Sequence, residues 1–171
     1  MKKIGANGQK TLKTLHLITI CLWLGGAVAI NIMPLVMAPA QSGGELFGYD
    51  LARKFLDDFI IIPGAMGCLL TGLFICWLTP WGFFKHRWLV VKWALTIASI
   101  LFGALVIGPF INDQPPISAE LGLEALTDAV YAANFSQGLI LGFLQTLVII
   151  FLVVISVLKP WRRRAATGSE A

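Results

Sequence analysis

The chain has 171 residues, 57% hydrophobic and 13% charged, with a mean hydropathy of +0.81. A soluble domain is nearer one quarter charged, so this composition excludes a large soluble core and points to one all-α membrane domain. The net charge of +4 brings no basic patch interleaved with aromatics in a polar segment, which excludes a nucleic-acid partner.

A span needs roughly 20 apolar residues, and four runs qualify. The first is Leu12–Met37, too long for a secretory leader and without a small-residue cleavage site, so it reads as a retained helix. It carries His16, one of two histidines. On a helix His16 shares a stripe with Thr19, Ile20, Trp23, Gly26, Ala27 and Ile30. Counted from Lys13 at about 1.5 Å per residue, His16 lies about 5 Å and Trp23 about 15 Å inside the boundary. Asn31, Met33 and Met37 follow near the other end. The loop 41–58 opens on Ser-Gly-Gly and continues as LFGYDLARKFLDDF, a short helix leading into the second span.

The second span is Phe59–Leu78, with Gly64, Gly67, Cys68, Thr71 and Gly72 along one broad face. Gly25, Gly26 and Ala29 in the first span and Gly138-x-x-x-Gly142 in the fourth are the matching small residues. Such faces bring helices close, or leave a slot for a flat ring. The link TPWGFFKHRW is short, so the second and third spans are antiparallel neighbours. Trp77, Trp81, Trp88 and Trp161 form an interfacial aromatic belt.

The third span is Trp88–Ile111. Lys92 lies about 7 Å inside it, counted from Arg87, in the same leaflet as His16. It either snorkels to the headgroups or meets an anion held in the bundle. His86, between Lys85 and Arg87, is the other histidine able to approach a ligand on His16. The loop 112–134 opens on a turn, Asn-Asp-Gln-Pro-Pro. A helix is then expected from Ser118, with Leu121, Leu123, Leu126 and Val130 as an interfacial apolar face. The fourth span is Phe135–Leu158, with Gln145 beyond the midplane. Pro34, Pro39, Pro63 and Pro109 are expected to kink or end helices.

Lysine and arginine fix the orientation. Lys2, Lys3, Lys10 and Lys13 precede the first span, Lys85 and Arg87 sit in the link, and Lys159, Arg162, Arg163 and Arg164 follow the fourth. The other two loops carry only Arg53 and Lys54 against eight acids. This predicts a four-helix bundle with both termini cytoplasmic. Cys21, Cys68 and Cys76 lie in apolar runs without a C-x-x-C pair and read as small buried hydrophobes. No carboxylate pair lies inside a span, and no nucleophilic triad or phosphate loop is present, which leaves redox work on a bound cofactor or none.

Leu15-His16 followed by Trp23-Leu24-Gly25-Gly26 resembles the first-helix signature of a group of small bacterial membrane proteins. The group includes the HemJ-type protoporphyrinogen oxidases, the CopD-type copper-resistance membrane domain, and an uncharacterised family of predicted integral membrane proteins. Trp88-Leu89-Val90-Val91-Lys92 keeps the tryptophan and lysine of a HemJ-type Trp-Leu-His-Val-Lys pattern, with Val90 in place of its histidine. The resemblance implies a helical protein that binds heme b through His16, with Val90 arguing against protoporphyrinogen oxidation. Size and four-span layout are nearest the uncharacterised family.

Three functions stay open. The first is a heme b protein, working as a membrane oxidoreductase or on a tetrapyrrole. Its iron would be held by His16, its ring lined by Trp23, its propionates met by Lys92 or Arg87, with His86 as a second ligand. The second is copper handling through the soft thioethers of Met33, Met37 and Met66. The third is a cofactor-free subunit or assembly partner, working as a homo-oligomer or with a membrane partner protein.

Overall fold

The structure, a computed structural model, describes residues 4–36, 39–79, 82–83 and 86–159. Among these every regular element is helical. In chain order they are α1 (Ala6–Val36), α2 (Gly43–Leu56), α3 (Ile62–Leu78), α4 (Arg87–Phe102), α5 (Gly108–Asn112), α6 (Gln114–Leu121) and α7 (Ala129–Leu158). A 3-10 segment, Gly122–Thr127, joins α6 to the start of α7. Four runs are long and apolar enough to cross a membrane: Ala6–Leu35, Gly43–Leu78, Arg87–Thr127 and Ala129–Leu158. The protein is a four-span helical bundle. Met37, Trp81, Lys85, Lys2, Lys3 and the tail from Pro160 lie outside the described residues.

The helices are longer than the apolar runs. The 36 residues of Gly43–Leu78 measure about 54 Å at 1.5 Å per residue, against roughly 30 Å of hydrocarbon. The surplus, α2, joins α6 and the 3-10 segment in a lobe at the end away from the termini. Ser42 caps α2 by accepting from the Glu45 amide at 3.2 Å, and Glu45 Oε2 accepts from the Gln41 amide at 2.6 Å. This is a variant of the capping box that Ser-x-x-Glu encodes. The lobe closes where Gly43 meets Gly122: a Cβ on Gly43 would stand 2.8 Å from the Gly122 Cα. Gly122 has φ +57, a conformation that favours glycine. Helix α6 begins at Gln114 rather than Ser118, because Pro115 and Pro116 fall in its first turn, where no N–H is needed.

Pro63 and Pro109 do not end their helices. Each is preceded by a widened π turn, Asp57–Ile61 and Gly103–Ile107, in which Ile62 N–H bonds Asp57 O and Gly108 N–H bonds Gly103 O. Proline lacks an N–H and crowds the carbonyl four residues back. Widening the preceding turn relieves that crowding and lets the helix continue.

The tightest pair is α1 with α3. A Cβ on Gly64 would lie 2.6 Å from Trp23 N, and one on Gly67 2.6 Å from Thr19 Cγ2. The small face of α3 is therefore filled by the backbone of α1 at Trp23 and by the Thr19 side chain. Gly26 closes on Ile61 in the same way, whereas Gly25 has nothing within 4 Å and plays no part in packing. Helix α4 packs on α7, while α3 and α4, joined by the short link, touch only lightly. Trp77 is exposed as a belt residue should be, but Trp88 is buried against Cys76 and Leu89. Cys68 and Cys76 are buried; Cys21 is exposed on the bundle's outer surface. That surface is a girdle of apolar side chains, Leu105 at 71% exposure among them, which suits acyl chains rather than water.

Candidate functional site

Because α3 and α4 stand apart, a cavity of about 330 Å³ opens between them at the end that carries the termini. Such a volume is at the low end for ligand pockets. Its walls are Cys68, Gly72, Ile75 and Cys76 of α3 and Trp88, Leu89, Lys92, Trp93 and Thr96 of α4. Helix α1 contributes Lys13 and His16, and the end of α7 contributes Ser156 and Lys159. Among the described residues three lysines and one histidine line it, and no carboxylate does.

The imidazole of His16 is held by α3. Its Nδ1 lies 2.7 Å from Thr71 Oγ1. The Thr71 hydroxyl has one proton, and at 2.6 Å it is directed to the Gly67 carbonyl of its own helix. Toward His16 the hydroxyl therefore accepts, and the proton of the neutral ring is assigned to Nδ1. That leaves no hydrogen bond at Nε2 among the described residues, while the ring also meets the Cys68 backbone. Gly72 allows this placement: its missing Cβ would sit 3.5 Å from His16 Cε1, and a larger side chain would grow into the ring's space.

Lys92 is half-buried and faces the same cavity, so the structure brings together the two intramembrane residues read from the sequence. It makes no hydrogen bond or ion pair with any described residue. The remaining candidates lie elsewhere. Trp23 is only 2% exposed and packs with Ala65, Cys68 and Ile149 in the centre of the bundle. It lines a second cavity and separates the two. His86 stands at the N-cap of α4 and stacks on Trp88 at 6.2 Å between ring centroids. Arg87 is exposed, and neither it nor His86 lines the cavity. Val90 is also exposed and turned away from it. Lys13, Lys159 and the accepting role of Thr71 are additions to the sequence reading. A helical wheel does not reveal them, because it cannot say which helices diverge.

Of the methionines considered for copper, Met37 lies outside the described residues and the other two line different cavities. Met66 lines the second cavity, and Met33 lines a third, at the lobe. Among the described residues no three of His, Cys, Asp and Glu come together as metal ligands.

The lobe holds a polar cluster that the loop charges of the sequence did not foretell. Asp50 and Arg53 of α2 are 2% and 3% exposed. Both Asp50 oxygens accept from the Tyr131 hydroxyl at 3.1 Å. Arg53 donates to Gln114 Oε1 and lies over the Phe135 ring, 5.1 Å from its centroid. These contacts clamp α2 to α6 and α7.

The sequence pattern of a family described as predicted integral membrane protein (DUF2269) matches residues 10–160, and the chain belongs to that family. No curated protein and no solved structure matches the chain.

Proposed function

We propose that this four-span family member binds an amphipathic anion with an apolar body in the cavity between α3 and α4, and that the anion is heme b. The observation that carries this reading is the pair His16 and Lys92. Among the described residues one wall offers an Nε2 lone pair without a hydrogen bond, the other an ammonium without a counter-charge, and no carboxylate lines the cavity. A cation left alone at membrane depth is costly, and a ligand carboxylate removes that cost. The same reading carries the likeness to HemJ-type proteins.

In this reading His16 Nε2 is the iron ligand. Its Nδ1–H bond to Thr71 fixes the ring plane and tautomer, as the outer partners of metal-bound histidines do. Lys92, with Lys13 and Lys159 toward the bundle end, meets the propionates by charge-assisted bonds. Trp88, Leu89, Trp93 and Ile75 give the apolar wall that keeps water from the ring. Bound heme would supply one-electron redox chemistry, tuned by His16 and by burial of the site. The lysine and arginine distribution supports both termini and this cavity on the cytoplasmic side, and the likeness to small bacterial membrane proteins supports a bacterial inner membrane.

The test is an optical spectrum of the full chain, purified in mild detergent from heme-supplied cells. Wild type shows a Soret band, His16→Ala abolishes it, and Lys92→Met weakens heme binding about tenfold or more. A wild-type protein that stays colourless after titration with hemin overturns the assignment. A tightly bound anionic lipid in that colourless protein would keep the anion site and discard the heme.

A further inference from the structure

The second cavity, about 240 Å³, has the opposite chemistry. It lies beyond Trp23, toward the lobe, and the two widened turns form part of its wall through Asp57, Ile61, Gly103 and Ile107. Among the described residues Asp57 is the one charged side chain that lines it. Its polar lining is otherwise Asn31, Ser99, Asn112 and Gln145.

Two of these amides have an oxygen without a partner. Asn31 Nδ2 donates to the Ala27 carbonyl at 2.7 Å and to Thr146 Oγ1 at 3.1 Å, which fixes its orientation and leaves Oδ1 unbonded. Gln145 Oε1 is likewise buried and unbonded. The Gln145 side chain lies against Gly103, where a built Cβ would come 3.0 Å from Nε2. The amide is thus seated on the first residue of a widened turn. Proline removes one N–H from each helix, so each widened turn also has a backbone carbonyl short of its donor.

The excess at this level is of oxygen acceptors, with one negative charge. Hard cations take oxygen ligands, and divalent ones need more carboxylate than a single aspartate supplies. Interrupted membrane helices with freed carbonyls are a recurrent way to hold Na⁺ or H⁺. The nearby charges do not complete Asp57. Lys54 is bound to Asp58 at 2.9 Å and to Asn112 Oδ1 at 2.5 Å. Helices α1, α3, α4, α5 and α7 bring no charged side chain to the cavity wall. We propose that this cavity is a binding site for a small hard monovalent cation, Na⁺ or a proton, held by Asp57 with Asn31 Oδ1 and Gln145 Oε1. The site is independent of the heme assignment.

Thermal unfolding of the detergent-purified chain tests it. Midpoints are compared in NaCl, LiCl, KCl and choline chloride at equal ionic strength, at pH 6, 7.5 and 9. A Na⁺ site gives a saturable rise of about 5 °C over choline. Asp57→Asn removes the rise, and Gln145→Leu moves its half-saturation point about tenfold. If the cation is a proton, the salts are equivalent, and lowering the pH stabilises wild type but not Asp57→Asn. Salt and pH responses identical in wild type and Asp57→Asn overturn the proposal. Should Asp57→Asn fail to fold, a wild-type response in Gln145→Leu, which changes no charge, overturns it instead.

Discussion

The two ends of these four helices treat their polar groups differently. At the terminal end His16 and Lys92 face a cavity with ligand-binding capacity unused by the protein. At the lobe Asp50 accepts from Tyr131, Arg53 donates to Gln114 and Lys54 pairs with Asp58, while Arg53 Nε and Gln114 Nε2 stay buried without a partner among the described residues. Between the ends, beside the widened turns, unbonded acceptors remain on Asn31 and Gln145, with Asp57 on the same wall. A buried polar group costs free energy unless it is bonded, so unbonded groups facing a cavity mark where a ligand of complementary charge can bind. The lobe is held by its own contacts, the terminal cavity suits an anion, and the middle cavity suits a cation.

The largest effect is expected where the clamp is broken. Arg53→Ala leaves the buried Asp50 carboxylate without its neighbouring positive charge and strips the cover from Phe135. Loss of one partner in such a cluster costs about 3–5 kcal/mol. Denaturant unfolding in detergent should show it as a large fall in the midpoint. His16→Ala, at the other end, should abolish ligand binding yet leave the midpoint near that of wild type. A stable Arg53→Ala protein would break the distinction, because the lobe charges would then be as unsaturated as those of the terminal cavity.

A smaller effect tests the wall between the cavities. Gly64→Ala pushes a Cβ to 2.6 Å from Trp23 N, where backbone rather than a movable side chain must yield. Overpacking of this kind costs about 1–3 kcal/mol. It should shift Trp23 and disturb both cavities together. Gly25→Ala, one helix position before Gly26, meets nothing within 4 Å and should leave stability unchanged or raise it by about 0.5 kcal/mol. Equal stability of the two variants would mean that α1 and α3 are not in the contact described.

Much of the bundle was legible in the sequence, because a bilayer demands long apolar helices and the chain has four such runs. His16 and Lys92 were legible too, since ionisable residues at depth are rare. At Pro63 and Pro109, where a kink or an end is expected, the helix widens and continues. Their position gives the missing N–H, but whether a helix ends or widens depends on what the next turn packs against. Asp50, Arg53 and Asp57 fall on the short helix expected to lead into the second span, but the pattern does not show that this helix packs against α6 and α7 and buries its charges. Trp23 shares the His16 stripe on a wheel, yet seven residues are about 10 Å along the axis, enough to place it in the next cavity.

The finest distinction is carried by Thr71, whose hydroxyl bonds His16 at 2.7 Å and Gly67 O at 2.6 Å. Thr71→Val keeps the shape of the side chain and removes the acceptor for Nδ1–H. The ring then has no fixed tautomer, and Nε2 presents its lone pair only part of the time. Outer partners of this kind are worth about 10-fold to 100-fold in metal affinity. Thr71→Val should therefore keep the Soret band but raise the hemin Kd about tenfold, and Thr71→Ser should restore it. The salt response of the middle cavity should be the same in all three proteins, because Thr71 does not line that cavity. A Thr71→Val protein that binds hemin as wild type does would show that the cavity walls, rather than the hydroxyl, orient His16.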